Sequence, residues 1–379
     1  MSRIKVLCVV GARPNFVKIA PIMRAAASRP GLDFVLVHTG QHYGADMSQS
    51  FFDDLGVPAP AINLEVGSGS HGKQTGDIMV AFEPVVLAEK PDAVLVVGDV
   101  NSTLACALVA AKLHVPVIHV EAGLRSGDRA MPEEINRVLT DQLSDLLFTT
   151  EAKAADNLTR EGVDAANIFH VGNVMIDTLH HSLSRAVAAQ TTLAEEFPDA
   201  DAQRLGNGFA LMTLHRPSNV DDPKILRGLL GAVGEIARTL PVIFPMHPRT
   251  ANAMRAAGLE AGEGLYLLPP QPYLRLLGLL QAAKLVMTDS GGLQEESTAL
   301  GVPCLTLREN TERWVTVEEG SNTIIGNSPD ALRRAFADFQ AGKGKPSRIP
   351  ALWDGKAAER IVEVIERRFS PATPTAAGG

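Results

Sequence analysis

Short apolar runs alternating with longer helical patterns constrain this chain more than any other feature. In the first half the runs are Ile4–Val10, Phe34–His38, Ala93–Val97, Val117–Val120, Leu146–Thr149 and Ile168–Val171. In the second half they are Phe209–Thr213, Val242–Met246, Leu265–Leu268, Leu285–Thr288, Cys304–Leu307 and Thr323–Ile325. Continuous Val/Ile/Leu-rich strands separated by helices are what parallel sheets covered on both faces require. Between two of the runs, Leu104, Leu108 and Val109 recur at helical spacing, as a crossover helix should. Six strands per half predict an α/β fold of two Rossmann-like domains with a cleft between them.

The chain has 379 residues, and at about 150 residues per domain that length allows two to three domains. The boundaries expected are residues 1–175 for the first domain and 176–354 for the second. The stretch 194–208 is rich in Ala, Asp and Glu, lacks strand character, and is placed inside the second domain. Residues 355–368 form an amphipathic pattern expected to pack back on the first domain. The tail 370–379 holds only Ser, Pro, Ala, Thr and Gly and is expected to be flexible.

Composition narrows the function classes. Asp and Glu outnumber Lys and Arg by 43 to 35, a net charge of −8, so the basic footprint of a nucleic-acid binder is missing. The three cysteines (Cys8, Cys106, Cys304) form no CxxC pair or disulfide framework, which fits a reducing cytoplasm. No run approaches the 18 or so apolar residues of a membrane span, and Ile4–Val10 is too short for a signal-peptide core. No membrane role is expected.

In open parallel sheets, ligands sit beyond the carboxyl ends of the strands, and the unusual residues fall there. After the first strand, Gly11-Ala12-Arg13-Pro14-Asn15-Phe16-Val17-Lys18 reads as a Gly turn opening a helix. Such a turn suits an anion, with Arg13 and Lys18 adding charge. It is not GxGxxG, which weakens a dinucleotide reading. Thr39-Gly40-Gln41-His42 follows the second strand. Asp99 ends the third, as a helix N-cap or as a group facing the cleft. Glu121 stands at the tip of the fourth, where a carboxylate on an apolar strand is expensive unless paired. Arg125 is the pairing candidate. Pro132-Glu133-Glu134 then opens a helix. Adjacent helical residues point about 100° apart, so at most one of the two glutamates faces the cleft squarely.

The second half repeats the pattern. His215-Arg216 at a strand tip reads as a phosphate or leaving-group binder, and His247-Pro248-Arg249 is a weaker pair. The sharpest signal is Thr288-Asp289-Ser290-Gly291-Gly292-Leu293-Gln294-Glu295-Glu296. There a strand runs through a Gly-Gly turn into a helix, so the N–H groups of Ser290, Gly291 and Gly292 can cradle a phosphate. Glu296, one turn on, is placed to accept from a ribose diol. Arg308 and Arg313 offer further anion contacts, unless Glu312 or Glu318 pairs with Arg313. The ten histidines fall in no HExxH or Cys/His zinc spacing, and there is no GxSxG elbow or Walker lysine loop. A nucleotide on one wall and carboxylates able to move protons on the other suit chemistry on a nucleotide-linked substrate.

These segments carry a family resemblance. GARPNFVKIAP, TGQH, VVGDVNST, HVEAGLRSGDRAMPEEINR, TLHRPSN and TDSGGLQEESTALGVPCLTLRENTER span about residues 3–327. In them the chain resembles the non-hydrolysing UDP-N-acetylglucosamine 2-epimerases of bacteria and archaea, whose architecture is similar to the two-domain GT-B fold. The resemblance implies removal of the C2 proton and expulsion of UDP from C1. A 2-acetamidoglucal would form, and UDP would add back with the proton delivered to the other face of C2. It implies UDP-N-acetylmannosamine as product, no NAD or other cofactor, no metal, a homodimer, and a role in cell-surface polysaccharide synthesis. It makes Asp99, Glu121 and Glu133 the catalytic carboxylates and His215 the support of the leaving UDP. Arg13, Lys18, Gln271, Ser290 to Gly292, Glu296 and Arg313 become UDP or substrate contacts. Leu276 stands where many members place a Phe against the uracil. Many bacterial members also hold an activating second UDP-GlcNAc with a Gln-His-Arg-x-Met segment and a double Arg after the histidine. Here the segment reads Gln41-His42-Tyr43-Gly44-Ala45-Asp46-Met47, and Pro217 follows Arg216. Similar departures occur in relatives acting on modified sugars such as UDP-2,3-diacetamido-glucuronic acid. Two further readings stay open at this level: a GT-B glycosyltransferase, and a nucleotide-sugar binding module without catalysis.

Overall fold

The computed structural model describes residues 3–41, 52, 55–344 and 346–370. The activator-type segment from His42 to Met47 and the tail beyond Ser370 lie outside the described residues. The chain forms two compact units. One runs to Thr178 and resumes at Ala351; the other is Leu179–Pro350.

In the first unit the strands are β1 (Ile4–Val10), β2 (Leu32–His38), β3 (Ile62–Asn63), β4 (Ala93–Val97), β5 (Val117–Val120), β6 (Leu146–Thr149) and β7 (Ile168–His170). They form one parallel sheet in the order β3-β2-β1-β4-β5-β6-β7. The two-residue β3 went unpredicted because Pro58-Ala59-Pro60-Ala61 and Asn63 interrupt any apolar run around it. Successive side chains of β1 enter opposite layers, as strand geometry dictates. Val6, Cys8 and Val10 pack with Phe16, Ile19 and Ile22 of the helix Arg13–Ala27. Leu7 and Val9 pack with Ile78, Phe82 and Val86 of the helix His71–Glu89.

The second unit holds β8 (Ala210–Thr213), β9 (Val242–Pro245), β10 (Leu265–Leu268), β11 (Leu285–Thr288), β12 (Cys304–Thr306) and β13 (Asn322–Ile324). The sheet order is β10-β9-β8-β11-β12-β13, again parallel. Met212, Phe244 and Met287 face Leu226, Leu229 and Val233 of the helix Pro223–Ala237. Leu211, Ile243 and Val286 face Leu279 and Leu280 of the helix Tyr273–Ala282. The stretch expected to lack strands is helical, as Ala189–Glu196 and Asp199–Gly206.

The helix Ala357–Phe369 completes the first unit. Its Ile361, Val362 and Ile365 are fully buried in the layer under β1, each burial worth about 1.5–3 kcal/mol. The Asp177 carboxylate accepts the helix's first amides, Ala357 N at 3.1 Å and Ala358 N at 2.7 Å. The indole of Trp353 donates to Thr150 O at 3.1 Å.

Each sheet reverses its strand order once, between β1 and β4 in the first and between β8 and β11 in the second. Loops beyond such a switch point diverge and leave room for a ligand. The candidate site residues lie on these loops and their neighbours.

Candidate active site

In the first unit, the loops after β1, β4 and β5 converge. The Asn15 carboxamide accepts Gly11 N at 3.2 Å and Ala12 N at 2.9 Å and donates to Val97 O at 3.0 Å. It thereby ties the Gly turn to the end of β4. Arg13 is exposed at the first position of its helix. Lys18 is buried and its ammonium pairs with the Glu121 carboxylate, so the expected Glu121 partner, Arg125, is replaced. Arg125 instead bridges Asp141 at 2.7 Å and Glu161. Glu121 holds φ +72°, a left-handed conformation that costs a non-glycine residue about 1–2 kcal/mol. A strained, buried carboxylate at a strand tip persists only where its surroundings over-determine it.

Gly98 lies between these groups with φ +68°. A Cβ there would stand 2.8 Å from Lys18 Nζ and 3.6 Å from Glu121 Oε2. Asp99 follows directly, and it is not the N-cap: that position belongs to Val100, without a side-chain cap. The Asp99 carboxylate accepts from Arg137 at 2.5 Å, and its carbonyl accepts from Asn136 at 2.9 Å. Arg137 also donates to Glu134 at 2.6 Å.

The helix Pro132–Leu143 separates its two leading glutamates. Glu134 is buried and accepts Ser126 N at 3.0 Å and Gly127 N at 2.9 Å. Burial alone would raise its pKa. The two amides and Arg137 outweigh burial and hold the carboxyl below its ordinary range. Glu134 is thus committed to shaping the loop before the helix, while Glu133 is half-buried on the adjacent face.

In the second unit, Asp289 organises the end of β8. Its fully buried carboxylate accepts His215 N, Arg216 N at 2.9 Å and Asn219 Nδ2 at 3.0 Å, and it faces His215 Nδ1 at 2.9 Å. Burial works to raise its pKa, but the His215 side chain and these amides win and lower it. His215 itself is part-exposed, with its ring 5.6 Å from that of His247.

At the Gly-Gly turn, Ser290 N donates to Thr288 Oγ1 at 2.9 Å, so that amide is already used. Ser290 is the N-cap of the helix Gly291–Leu300 but makes no side-chain cap, which leaves the first-turn amides of Gly291 and Gly292 for an anion. Gly291 is close-packed: a Cβ would meet Glu312 Oε1 at 3.1 Å. Arg313 is buried and paired with Glu295 at 3.0 Å and Glu312 at 3.5 Å. Glu296 accepts from Tyr273 Oη at 3.0 Å. Burial and the charge of Glu295 push its carboxyl up to about 7, with the tyrosine pulling the other way. Gln271 donates to Pro269 O at 3.0 Å, and Leu276 is a half-buried member of the layer with Leu279 and Leu280.

Among the described residues, no group of three or more His, Cys, Asp or Glu is arranged to hold a metal ion, and no helix is long and apolar enough to cross a membrane. Sequence reading singled out Asp99, Glu121 and His215, left Glu134 as the alternative to Glu133, and gave no role to Asn15, Asp141, Arg137 or Asp289. Asn15, Asp141 and Asp289 bind backbone groups of other segments, and Arg137 binds the Asp99 and Glu134 carboxylates, roles that spacing along the chain does not encode.

The fold is α/β, with two parallel-sheet units of the GT-B-like class found in its solved relatives. A family model described as UDP-N-acetylglucosamine 2-epimerase matches residues 24–366. The Methanocaldococcus jannaschii UDP-N-acetylglucosamine 2-epimerase is 41% identical over 95% of this chain and 98% of its own. A Pseudomonas aeruginosa UDP-2,3-diacetamido-2,3-dideoxy-D-glucuronate 2-epimerase is 42% identical over 96% and 99%. The crystal structure of the M. jannaschii enzyme in complex with UDP-GlcNAc and UDP superposes with a TM-score of 0.84, covering 96% of this chain and 99% of that one. The chain belongs to the UDP-N-acetylglucosamine 2-epimerase family and is a UDP-sugar 2-epimerase.

Proposed function

We propose that the protein interconverts UDP-N-acetylglucosamine and UDP-N-acetylmannosamine without net hydrolysis, by elimination and re-addition of UDP. The observation that carries the reading is Glu121, a buried carboxylate held in a strained conformation by Lys18 beside the Asp99 turn. The C2 proton of a 2-acetamido sugar has no adjacent carbonyl to acidify it. Departure of UDP from C1 builds positive charge there, and only then does a carboxylate remove the C2 proton readily. The C2–H and C1–O bonds break, a C1=C2 double bond forms, and the electron pair leaves with UDP. In the return step a UDP oxygen adds to C1 while a proton reaches the opposite face of C2. Proton transfer on two faces needs more than one carboxylate, and Asp99, Glu121 and Glu133 are the set assigned to it.

On the leaving-group side, His215, oriented by Asp289, supports the departing diphosphate. The amides of Gly291 and Gly292 and the Ser290 hydroxyl hold the phosphates at the helix N-terminus. Glu296 accepts from the ribose diol, Arg13, Lys18 and Arg313 supply positive charge, and Gln271 and Leu276 line the uracil side. A second substrate has equal standing on one observation: the diacetamido-glucuronate enzyme is as similar as the N-acetylglucosamine enzyme, 42% against 41%. A homodimer is supported by exposed Val80 and Leu87 on one helix and Ile135 and Leu139 on another, both helices packing on Asn101–Lys112.

The test is incubation with each UDP-sugar in D2O, followed by NMR. Deuterium at C2 with UDP-N-acetylmannosamine appearing is the expected result. Exchange only in the diacetamido-uronic acid moves the substrate. Release of free N-acetylmannosamine refutes the non-hydrolysing course, and no exchange in either sugar refutes the epimerase mechanism.

A further inference from the structure

Two strand-end turns in the first unit carry the carboxylates assigned to proton transfer, and both turns use left-handed backbone. Gly98 at +68° precedes Asp99, while Glu121 at +72° and Gly123 at +79° form the turn after β5. Each turn is tied by its amides to the neighbouring strand end, Gly98 N to Val120 O at 3.1 Å and Glu121 N to Phe148 O at 3.1 Å, which leaves the Gly98 carbonyl and the Gly123 amide to be held from elsewhere. Behind them lies a buried pair that the reaction as proposed does not use. His119, on β5 and fully buried, donates from Nε2 to Gly98 O at 2.9 Å. Its Nδ1 is hydrogen-bonded with Asp141 Oδ1 at 2.6 Å. The other oxygen, Asp141 Oδ2, accepts Gly123 N at 3.1 Å and Arg125 Nη2 at 2.7 Å. One carboxylate on the helix Pro132–Leu143 therefore reaches both turns, one directly and one through an imidazole.

We infer that Asp141 and His119 are positioning residues that set the separation and aim of the Asp99 and Glu121 carboxylates. The inference rests on the proton-transfer reading of those two residues. The side chain of His119 points into the unit, bonded to a carbonyl and a carboxylate at 0% exposure, so it does not reach substrate. Proton transfer demands close placement, and a displacement of about 1 Å costs on the order of 100-fold in rate.

Two variants of His119 separate the two links. His119→Asn places a donor near Nδ1, keeping the Asp141 bond and losing the Gly98 bond. His119→Gln places a donor near Nε2 and does the reverse. Asp141→Asn keeps an acceptor for Gly123 N but loses the charge. In the full-length protein each is expected to lower kcat for C2 exchange in D2O about 10- to 100-fold. KM and the Kd for UDP, read by calorimetry, should stay within about twofold, because the phosphate cradle is on the other unit. The pH profile of kcat should also move, since the environments of Asp99 and Glu121 change, an effect that loss of stability alone does not produce. A kcat within threefold of wild type in all three variants overturns the inference. So does a loss of kcat that matches a parallel loss of melting temperature and UDP affinity with an unmoved pH profile. If the wild-type protein exchanges no C2 proton in either UDP-sugar, the proton-transfer reading fails first and the positioning role fails with it.

Discussion

Replacing Asp289 with Asn tests the idea that one buried carboxylate sets the geometry of His215. The substitution keeps shape and removes charge. With its oxygen at the Oδ2 position, the amide still accepts His215 N, Arg216 N and Asn219 Nδ2. Hydrogen bonds to a charged acceptor contribute about 1.5–3 kcal/mol each against about 0.5–1.5 for neutral ones. Three bonds losing about 1 kcal/mol each give about 3 kcal/mol. For a unit of this size that lowers the melting temperature by about 6–12 °C. The amide N–H2 would meet His215 Nδ1, which in wild type faces Asp289 Oδ1 at 2.9 Å, and force the ring into the other tautomer. Loss of a positioned acid of this kind costs about 100- to 10,000-fold in rate. The pKa of Asp289 is lowered in the folded state, so its contribution is fully present above the ordinary carboxyl range and is lost as pH falls through the folded value. The stability gap between wild type and Asp289→Asn should therefore be constant from pH 8 to about pH 5 and close towards pH 3. Thermal melts of both proteins across that range measure it. A drop below 2 °C at pH 7, or a gap that does not narrow on acidification, would refute the reasoning.

Glu121→Gln should abolish C2 exchange while UDP binding is largely kept; loss of UDP binding in a folded variant moves Glu121 to a binding role. Glu296 is raised to about 7 in the folded state, so the protonated form is favoured and its stabilising contribution is lost as pH rises from about 4.5 through about 7. Glu296→Gln should then melt higher than wild type at pH 8 and equally at pH 4.5, and a gap independent of pH contradicts the assignment. Gly278→Ala should prevent the second unit from folding, because the new Cβ would stand 1.7 Å from Val187 O; a soluble variant with the wild-type circular dichroism spectrum and melting temperature rules this out. The double substitution Val80→Glu with Leu87→Glu should give a monomer by light scattering if that helix face covers a second copy, and an unchanged mass removes the face from the interface.

The strand pattern was legible because parallel strands buried on both faces are written as unbroken apolar runs. Val117–Val120, Leu146–Thr149, Leu265–Leu268 and Leu285–Thr288 stand in the structure with the limits read from sequence. The strand orders, with their switch points at β1/β4 and β8/β11, were not legible, since sequence gives strands but not neighbours. Within the site, Glu121 stood out because a charge on an apolar strand is anomalous. Its partner was misjudged: Arg125 is nearby in sequence, but Lys18 arrives from the helix Arg13–Ala27. The choice between Glu133 and Glu134 turned on two amides of the loop at Ser126 and Gly127, which no helical periodicity reveals.

The helix Ala357–Phe369 has a consequence for biosynthesis. β1 is translated before the second unit, yet Ile361, Val362 and Ile365, which seal the layer beneath β1, are translated only after it. The second unit, Leu179–Pro350, is a single uninterrupted stretch and can close on itself while the ribosome is still working. The unit begun before the other is thus finished after it, and until this helix emerges the face of β1 that holds Val6, Cys8 and Val10 lacks its final cover. A chaperone that shields a nascent chain would find its client surface there, and docking of the helix Ala357–Phe369 removes that surface.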